Sequence, residues 1–96
     1  MGDRKNQDKS ILRILAMPGC KEIIMELNSK GTLNFGKLAN IMDYRAKATR
    51  ILKELKNKGI VERKILDDGL RTTRYSLTDK GKAVADVLIR LGELEN

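Results

Sequence analysis

Within residues 45–53, Arg45, Lys47, Arg50 and Lys53 set four cationic side chains around Thr49, with no acid among them. Guanidinium and ammonium groups donate hydrogen bonds and accept none, so a cluster of this kind holds anions. A second group follows at Lys64, Arg71 and Arg74, on either side of an acidic "DDG" at residues 67–69. Arginine adds geometry to charge, because its planar fork can take two acceptors at once.

The charge is concentrated. The 96-residue chain carries a formal net charge of +7. Residues 45–74 hold ten Lys and Arg against four acids, a net +6, whereas residues 1–44 carry +2 and residues 75–96 carry −1. One third of the chain therefore holds nearly all of the excess, which is the distribution of a polyanion-binding face.

Other chemistries lack their reagents. There is no histidine and Cys20 is the single cysteine, so a Cys/His zinc site cannot be assembled within one chain. Catalysis by a nucleophile and a histidine base is likewise excluded, and acid pairs such as Glu22 and Glu26 read as surface charges. No catalytic residue, metal ligand or cofactor is expected, and the chain reads as a non-enzyme. Cys20 reads as a small buried hydrophobe; the other reading is a redox thiol near a helix start, where thiol pKa values fall. The four Met residues read as an initiator and gap fillers. The N-terminal "MGDRKNQDKS" is polar, Asn6 stands where a myristoylation motif wants Ser or Thr, and no apolar run approaches the ~20 residues that span a bilayer. These features predict a cytoplasmic, nucleoid-associated protein with no membrane partner.

The cations need a scaffold, and the apolar pattern supplies one, built on aliphatic residues because aromatics make up only 3% of the chain. Ile11, Leu12, Ile14 and Leu15 recur at helical spacing and predict a first helix over about 8–16. Pro18 stops it and is placed at the first position of a second helix, whose stripe is Ile23, Ile24 and Leu27 and whose end is Gly31. "TLN" is long enough for one short extended segment. Asn34 can cap a third helix, "FGKLANIM", with Phe35, Leu38, Ile41 and Met42 inward. Asp43 is the next cap, followed by Ala48, Ile51, Leu52 and Leu55 at i, i+3, i+4 and i+7, and Gly59 closes that helix. Its opposite face carries Arg45, Lys47, Thr49, Arg50, Lys53 and Asn57, interrupted only by Glu54. "IVERKIL" and "RTTRYSL" predict two strands joined by the "DDG" turn, with Thr73, Tyr75 and Leu77 on one face and Thr72, Arg74 and Ser76 on the other. Thr78 caps a last helix with Asp79 in its first turn, and Val84, Val87, Leu88, Leu91 and Leu94 form its long apolar stripe.

Helix, helix, helix–turn–helix, hairpin, helix is the winged-helix order. The prediction is a single domain over 1–96, mainly α with a small β-hairpin (α+β): a helix-turn-helix over about 35–58, a wing over about 60–77, and terminal helices over about 8–16 and 79–94. A helix ~10–12 Å across fits a DNA major groove. Arg45, Lys47, Thr49 and Arg50 would then lie in the first two turns of the recognition helix, with Lys53 beside them. Lys64, Arg71 and Arg74 would extend the grip to flanking phosphate or the minor groove, while Asp67 and Asp68 argue against the tip itself entering a groove.

"FGKLANIM", "ATRILKELKNKGIVER" and "RTTRYSLTDKG" resemble the winged-helix transcriptional regulators of bacteria and archaea, particularly the HxlR-like and MarR-like groups. Leu52, Leu55, Gly59, Ile60 and Val61 meet that family's recognition-helix ending; Arg71, Tyr75, Leu77, Thr78 and Gly81 meet its wing-return pattern. The resemblance covers about Pro18 to Leu91. Two departures stand out: the stretch from Leu38 to Leu52 is one residue short, and Asp43 replaces the usual Ser/Thr cap. The chain also lacks the clustered Cys/His of the metal-sensing ArsR-like relatives. The resemblance implies binding of double-stranded DNA as a symmetric homodimer, with the terminal helices as the interface. The residues point the same way, because Ile11, Leu12, Ile14, Leu15, Val84, Val87, Leu88, Leu91 and Leu94 exceed what so small a core absorbs. The leading expectation is a homodimeric, sequence-specific regulator of transcription. The alternatives are a winged helix that docks protein, and a chromatin-like DNA-binding protein without sequence preference.

Overall fold

The computed structural model describes residues 11–42, 45–66, 69 and 72–95. The expected caps and turn at Asp43, Asp67 and Asp68, the start of the first helix before residue 11, and Arg71 lie outside the described residues. Among the described residues five helices and three strands follow one another: α1 over residues 11–16, α2 (Cys20–Lys30), β1 (Thr32–Asn34), α3 (Phe35–Met42), α4 (Arg45–Asn57), β2 (Val61–Leu66), β3 (Thr72–Leu77) and α5 (Asp79–Glu95). This is the winged-helix arrangement, mostly helical with a small antiparallel sheet.

Local chemistry fixes most of the boundaries. Asn34 caps α3 through its side-chain oxygen, which accepts from Lys37 N–H at 2.9 Å, satisfying one of the amides a helix start leaves bare. α2 ends at Gly31, whose N–H returns to Leu27 O at 2.8 Å. α4 ends in a Schellman motif: Ile60 N–H reaches Leu55 O at 2.9 Å and Gly59 N–H reaches Lys56 O at 3.0 Å. Gly59 supplies the positive φ of 74° that this ending requires.

One boundary differs from expectation. Pro18 is not the first residue of α2 but sits in a turn ahead of it. Cys20 N–H bonds to Met17 O at 3.1 Å, and Gly19 has φ 90° and ψ −15°. Those angles are the third position of a type II turn, with proline at its favoured second position.

The expected "TLN" segment does more than extend. It pairs with β3, making a three-stranded antiparallel sheet in the order β1-β3-β2. Leu33 lies opposite Tyr75 and Asn34 opposite Arg74; across the hairpin Val61 faces Leu77, Arg63 faces Tyr75 and Lys64 faces Arg74. Directly paired residues project to the same side of a sheet. Leu33, Val61, Arg63, Tyr75 and Leu77 therefore share the side facing the core, while Thr32, Asn34, Glu62, Lys64, Arg74 and Ser76 share the other.

The core lies between α2, α3, α4 and the inner side of the sheet. Ile23, Ile24, Leu27, Leu38, Ile51, Leu52, Leu55 and Ile60 are all fully buried, and each such side chain contributes about 1.5–3 kcal/mol. Tyr75 and Leu77 are inward as expected. Ala39 joins them from α3, a residue the helical pattern had left aside. Cys20 is buried at the start of α2, and burial, followed by the nearby Glu22 carboxylate, pushes its thiol up to about 11. That supports the packing reading of Cys20, since a redox thiol needs a lowered pKa and access.

The start of α5 is clamped to the end of α4. Thr78 N–H donates to Ile60 O at 3.0 Å, and its hydroxyl lies against Gly59 O and, at 3.1 Å, Ile60 O. The same hydroxyl accepts from Gly81 N–H at 3.0 Å, capping the helix. Lys80 Nζ donates to Lys58 O at 2.7 Å. Gly81 permits the approach, because a Cβ there would stand 2.0 Å from Ile60 O.

Candidate nucleic-acid interface

α4 is held by its apolar stripe, with Ala48, Ile51, Leu52 and Leu55 essentially without exposure. That anchoring turns Lys47, Thr49, Arg50, Lys53, Lys56 and Asn57 outward, all exposed. Arg45 opens the helix, but its side chain lies outside the described residues. Helical spacing divides the exposed face into two flanks. Thr49, Lys53 and Lys56, at i, i+4 and i+7, line a cleft toward the hairpin. Lys47, Arg50 and Glu54, at i, i+3 and i+7, make the other flank.

On the hairpin side the cleft has a volume of about 310 Å³. Its α4 wall is Thr49, Lys53, Lys56 and Asn57, its far wall is Arg63 of β2, and Leu52 and Tyr75 form its floor. On the other flank Arg50 and Glu54 meet Arg13 and Met17 of the α1 region around a smaller cleft of about 190 Å³. Glu54 on this flank is half-buried and lines that cleft with Arg13 and Arg50.

The structure therefore brings Lys47, Thr49, Arg50 and Lys53 together on one helix. It separates them from the other expected cations: Lys64 and Arg74 face each other on the opposite side of the hairpin. Lys64 is exposed, whereas Arg74 is half-buried, with Nε withdrawn from solvent and without a hydrogen-bond partner among the described residues. Three cations were missed: Arg13, Lys56 and Arg63. Lys56 was legible at three residues beyond Lys53, and Arg63 through its register opposite an inward Tyr75. Arg13 carried no local signal, since α1 meets α4 only in the folded chain.

The expected interface residues divide sharply. Ile14, at 3% exposure, belongs to the chain's own core. Ile11, Leu15, Val84 and Leu88 are half-buried. Leu12, Val87, Leu91 and Leu94 are open, at 68%, 55%, 52% and 82%. Among the described residues no set of His, Cys, Asp and Glu is grouped as for a metal ion, and no helix is long and apolar enough to cross a membrane.

Comparison with known proteins places this geometry. No curated protein matches the chain. Among solved structures, the chain is similar to the reduced form of the transcriptional regulator YodB from B. subtilis, at 28% identity and a TM-score of 0.77, over 88% of this chain and 84% of that one. A protein described as a transcriptional regulator of the MarR family from Enterococcus faecalis V583 matches at 26% identity and a TM-score of 0.77, over 92% and 84%. The S. aureus MepR F27L mutant bound to an oligodeoxyribonucleotide shares the fold at 13% identity and a TM-score of 0.74, over 96% and 69%. Residues 20–96 match the family described as HxlR-like helix-turn-helix. That span takes in α2 through α5, the helix-turn-helix and the wing together, and the chain belongs to the HxlR-like helix-turn-helix family of winged-helix transcriptional regulators.

Proposed function

We propose that the protein is a homodimeric transcriptional regulator that binds double-stranded DNA with sequence preference, through the first turns of α4 in the major groove. The observation that carries this reading is the outward face of α4, where Lys47, Thr49, Arg50 and Lys53 are all exposed and the sole acid of the helix, Glu54, is half-buried. Arg50 is the side chain best shaped to read guanine, and Lys47 and Lys53 suit phosphate. The hairpin, with Lys64, Arg71 and Arg74, extends the contact to flanking phosphate or the minor groove. A protein of this fold bound to an oligodeoxyribonucleotide, MepR, supports the reading at the level of architecture.

The dimer reading rests on α5. Val87, Leu91 and Leu94, at i, i+4 and i+7, are exposed along one line, and Leu12 of α1 is exposed as well. A two-fold interface through these helices, with Ile11, Leu15, Val84 and Leu88 at its inner edge, would cover them. It would also set two recognition helices about one DNA turn (~34 Å) apart. Selection of bound duplexes from a random-sequence pool tests both parts. The proposal expects a recovered motif of two inverted half-sites; recovery of sequences with no common motif contradicts it.

Ile65 and Leu66, exposed near the end of the hairpin, favour one other reading, a wing that docks protein. Failure of the protein to retain any duplex DNA at ~50 mM salt, where non-specific binding is strong, supports that reading instead.

A further inference from the structure

A further cleft, of about 320 Å³, lies at the base of the hairpin, away from α4. Three elements build it: the end of α2 through Leu27 and Asn28, the hairpin through Glu62, Ser76 and Leu77, and α5 through Lys82. Its floor is apolar, because Leu27 and Leu77 are buried side chains of the core. Its rim is polar, with Asn28, Glu62 and Lys82 all exposed. Gly31 completes the lining where α2 ends, so the rim carries no side chain there. An apolar floor ringed by a few polar groups is the make-up of a small-molecule site, and the volume is enough for a small ligand.

The charges on the rim say which ligand. Glu62 is paired with Ser76 across the hairpin, and both project to the side of the sheet opposite Arg63. The Ser76 hydroxyl donates to the Glu62 carboxylate at 3.4 Å, which orients the acid. Lys82 stands one turn into α5, where its N–H returns to Thr78 O at 2.9 Å. An acid on the hairpin and a cation on α5 therefore share one cleft. Among the described residues the two are not joined in an ion pair.

We infer that this cleft is a binding site for a free aliphatic α-amino acid. The ligand's ammonium group donates to the Glu62 carboxylate, its carboxylate accepts from the Lys82 ammonium, and its side chain lies over Leu27 and Leu77. The Asn28 amide has both a donor and an acceptor and suits either end. A simple anion would meet the repulsion of Glu62 and a simple cation that of Lys82, whereas a zwitterion satisfies both. Occupancy ties the base of the hairpin to α5 and to the end of α2. None of these residues belongs to the proposed DNA face, so the site is tested without DNA and stands or falls apart from that reading.

The test is thermal melting and isothermal titration of the full-length protein with L-leucine. About 10 mM leucine is expected to raise the melting temperature by roughly 5 °C, as follows from a dissociation constant of about 3 mM. Isoamylamine, which is leucine without the carboxylate, and isocaproate, which is leucine without the ammonium, are each expected to bind about tenfold more weakly or worse. Glu62→Gln and Lys82→Met are each expected to weaken leucine about tenfold. Both positions are exposed, and melting without ligand checks that the fold is intact; if one variant alters it, the other carries the test. Arg63→Gln, on the opposite side of the hairpin, should bind leucine as the wild type does. The absence of any shift with leucine overturns the site. Binding undiminished in both rim variants overturns it too, and equal binding of isoamylamine and leucine overturns the zwitterion.

Discussion

The two ends of α5 are built for different purposes. Its first turn is held by Thr78, Lys80 and Gly81 against three successive carbonyls, Lys58 O, Gly59 O and Ile60 O. Its far half presents Val87, Leu91 and Leu94 to solvent. One helix therefore joins a closely fitted seam to an open apolar line. On the proposed reading, the difference teaches how a small chain couples recognition to assembly. The end of α4 and the start of α5 are fixed to one another, so the placement of one sets the placement of the other.

The largest effect should come at the open end. Leu91→Lys with Leu94→Lys removes two apolar side chains per protomer, four from the proposed two-fold interface, about 8 kcal/mol or more than a hundred-thousandfold in the dimer dissociation constant. Sedimentation should show a monomer, with helix content unchanged by circular dichroism. A dimer of undiminished stability would show that the line serves something else. At the fitted end, Gly81→Ala should cost about 3 kcal/mol of folding stability in a denaturant titration, because the new Cβ has no room beside Ile60 O. Full stability there would mean that the seam yields.

Thr78→Ala is a smaller lesion at the same seam. It leaves the backbone bond to Ile60 O in place but removes the cap on Gly81 N–H, an expected cost of about 1 kcal/mol; Thr78→Ser should restore most of it. The smallest effect concerns Cys20, far from both ends. Its thiol pKa in the fold lies near 11 against an ordinary 9.0. Folding therefore favours the protonated form, and that contribution is complete below about pH 9. It is lost as pH rises from there through 11, because the unfolded thiol ionises first. The stability difference between wild type and Cys20→Ala should be flat below pH 9 and narrow above it; a difference independent of pH up to 11 would contradict the buried, protonated thiol.

What the residues revealed and what they concealed follow from the range of the forces involved. The α4 stripe was legible because helical periodicity is local, and Asn34 and Thr78 were legible because a cap bonds to an amide three residues away. Gly81 was visible only as a position in a family pattern; its reason, Ile60 O, lies 21 residues earlier in the chain. Pro18 suits both the start of a helix and the second position of a turn, and Gly19, seated where a Cβ would strike Met42, settled the choice. Arg63 and Lys64 are equivalent by composition, and the hairpin register separates them. Periodicity on α5 showed which residues share a line, but not how far along the helix the core would reach.

On the proposed function, the outer face of α4 grips DNA. A salt series comparing the wild type with Arg50→Ala Lys53→Ala on one duplex tests it most directly. Weaker binding in the variant and a slope shallower by about 0.9 or more are expected, the slope from the lost Lys53 phosphate contact and the affinity from both losses. Equal affinity and equal slope in the two proteins would contradict it.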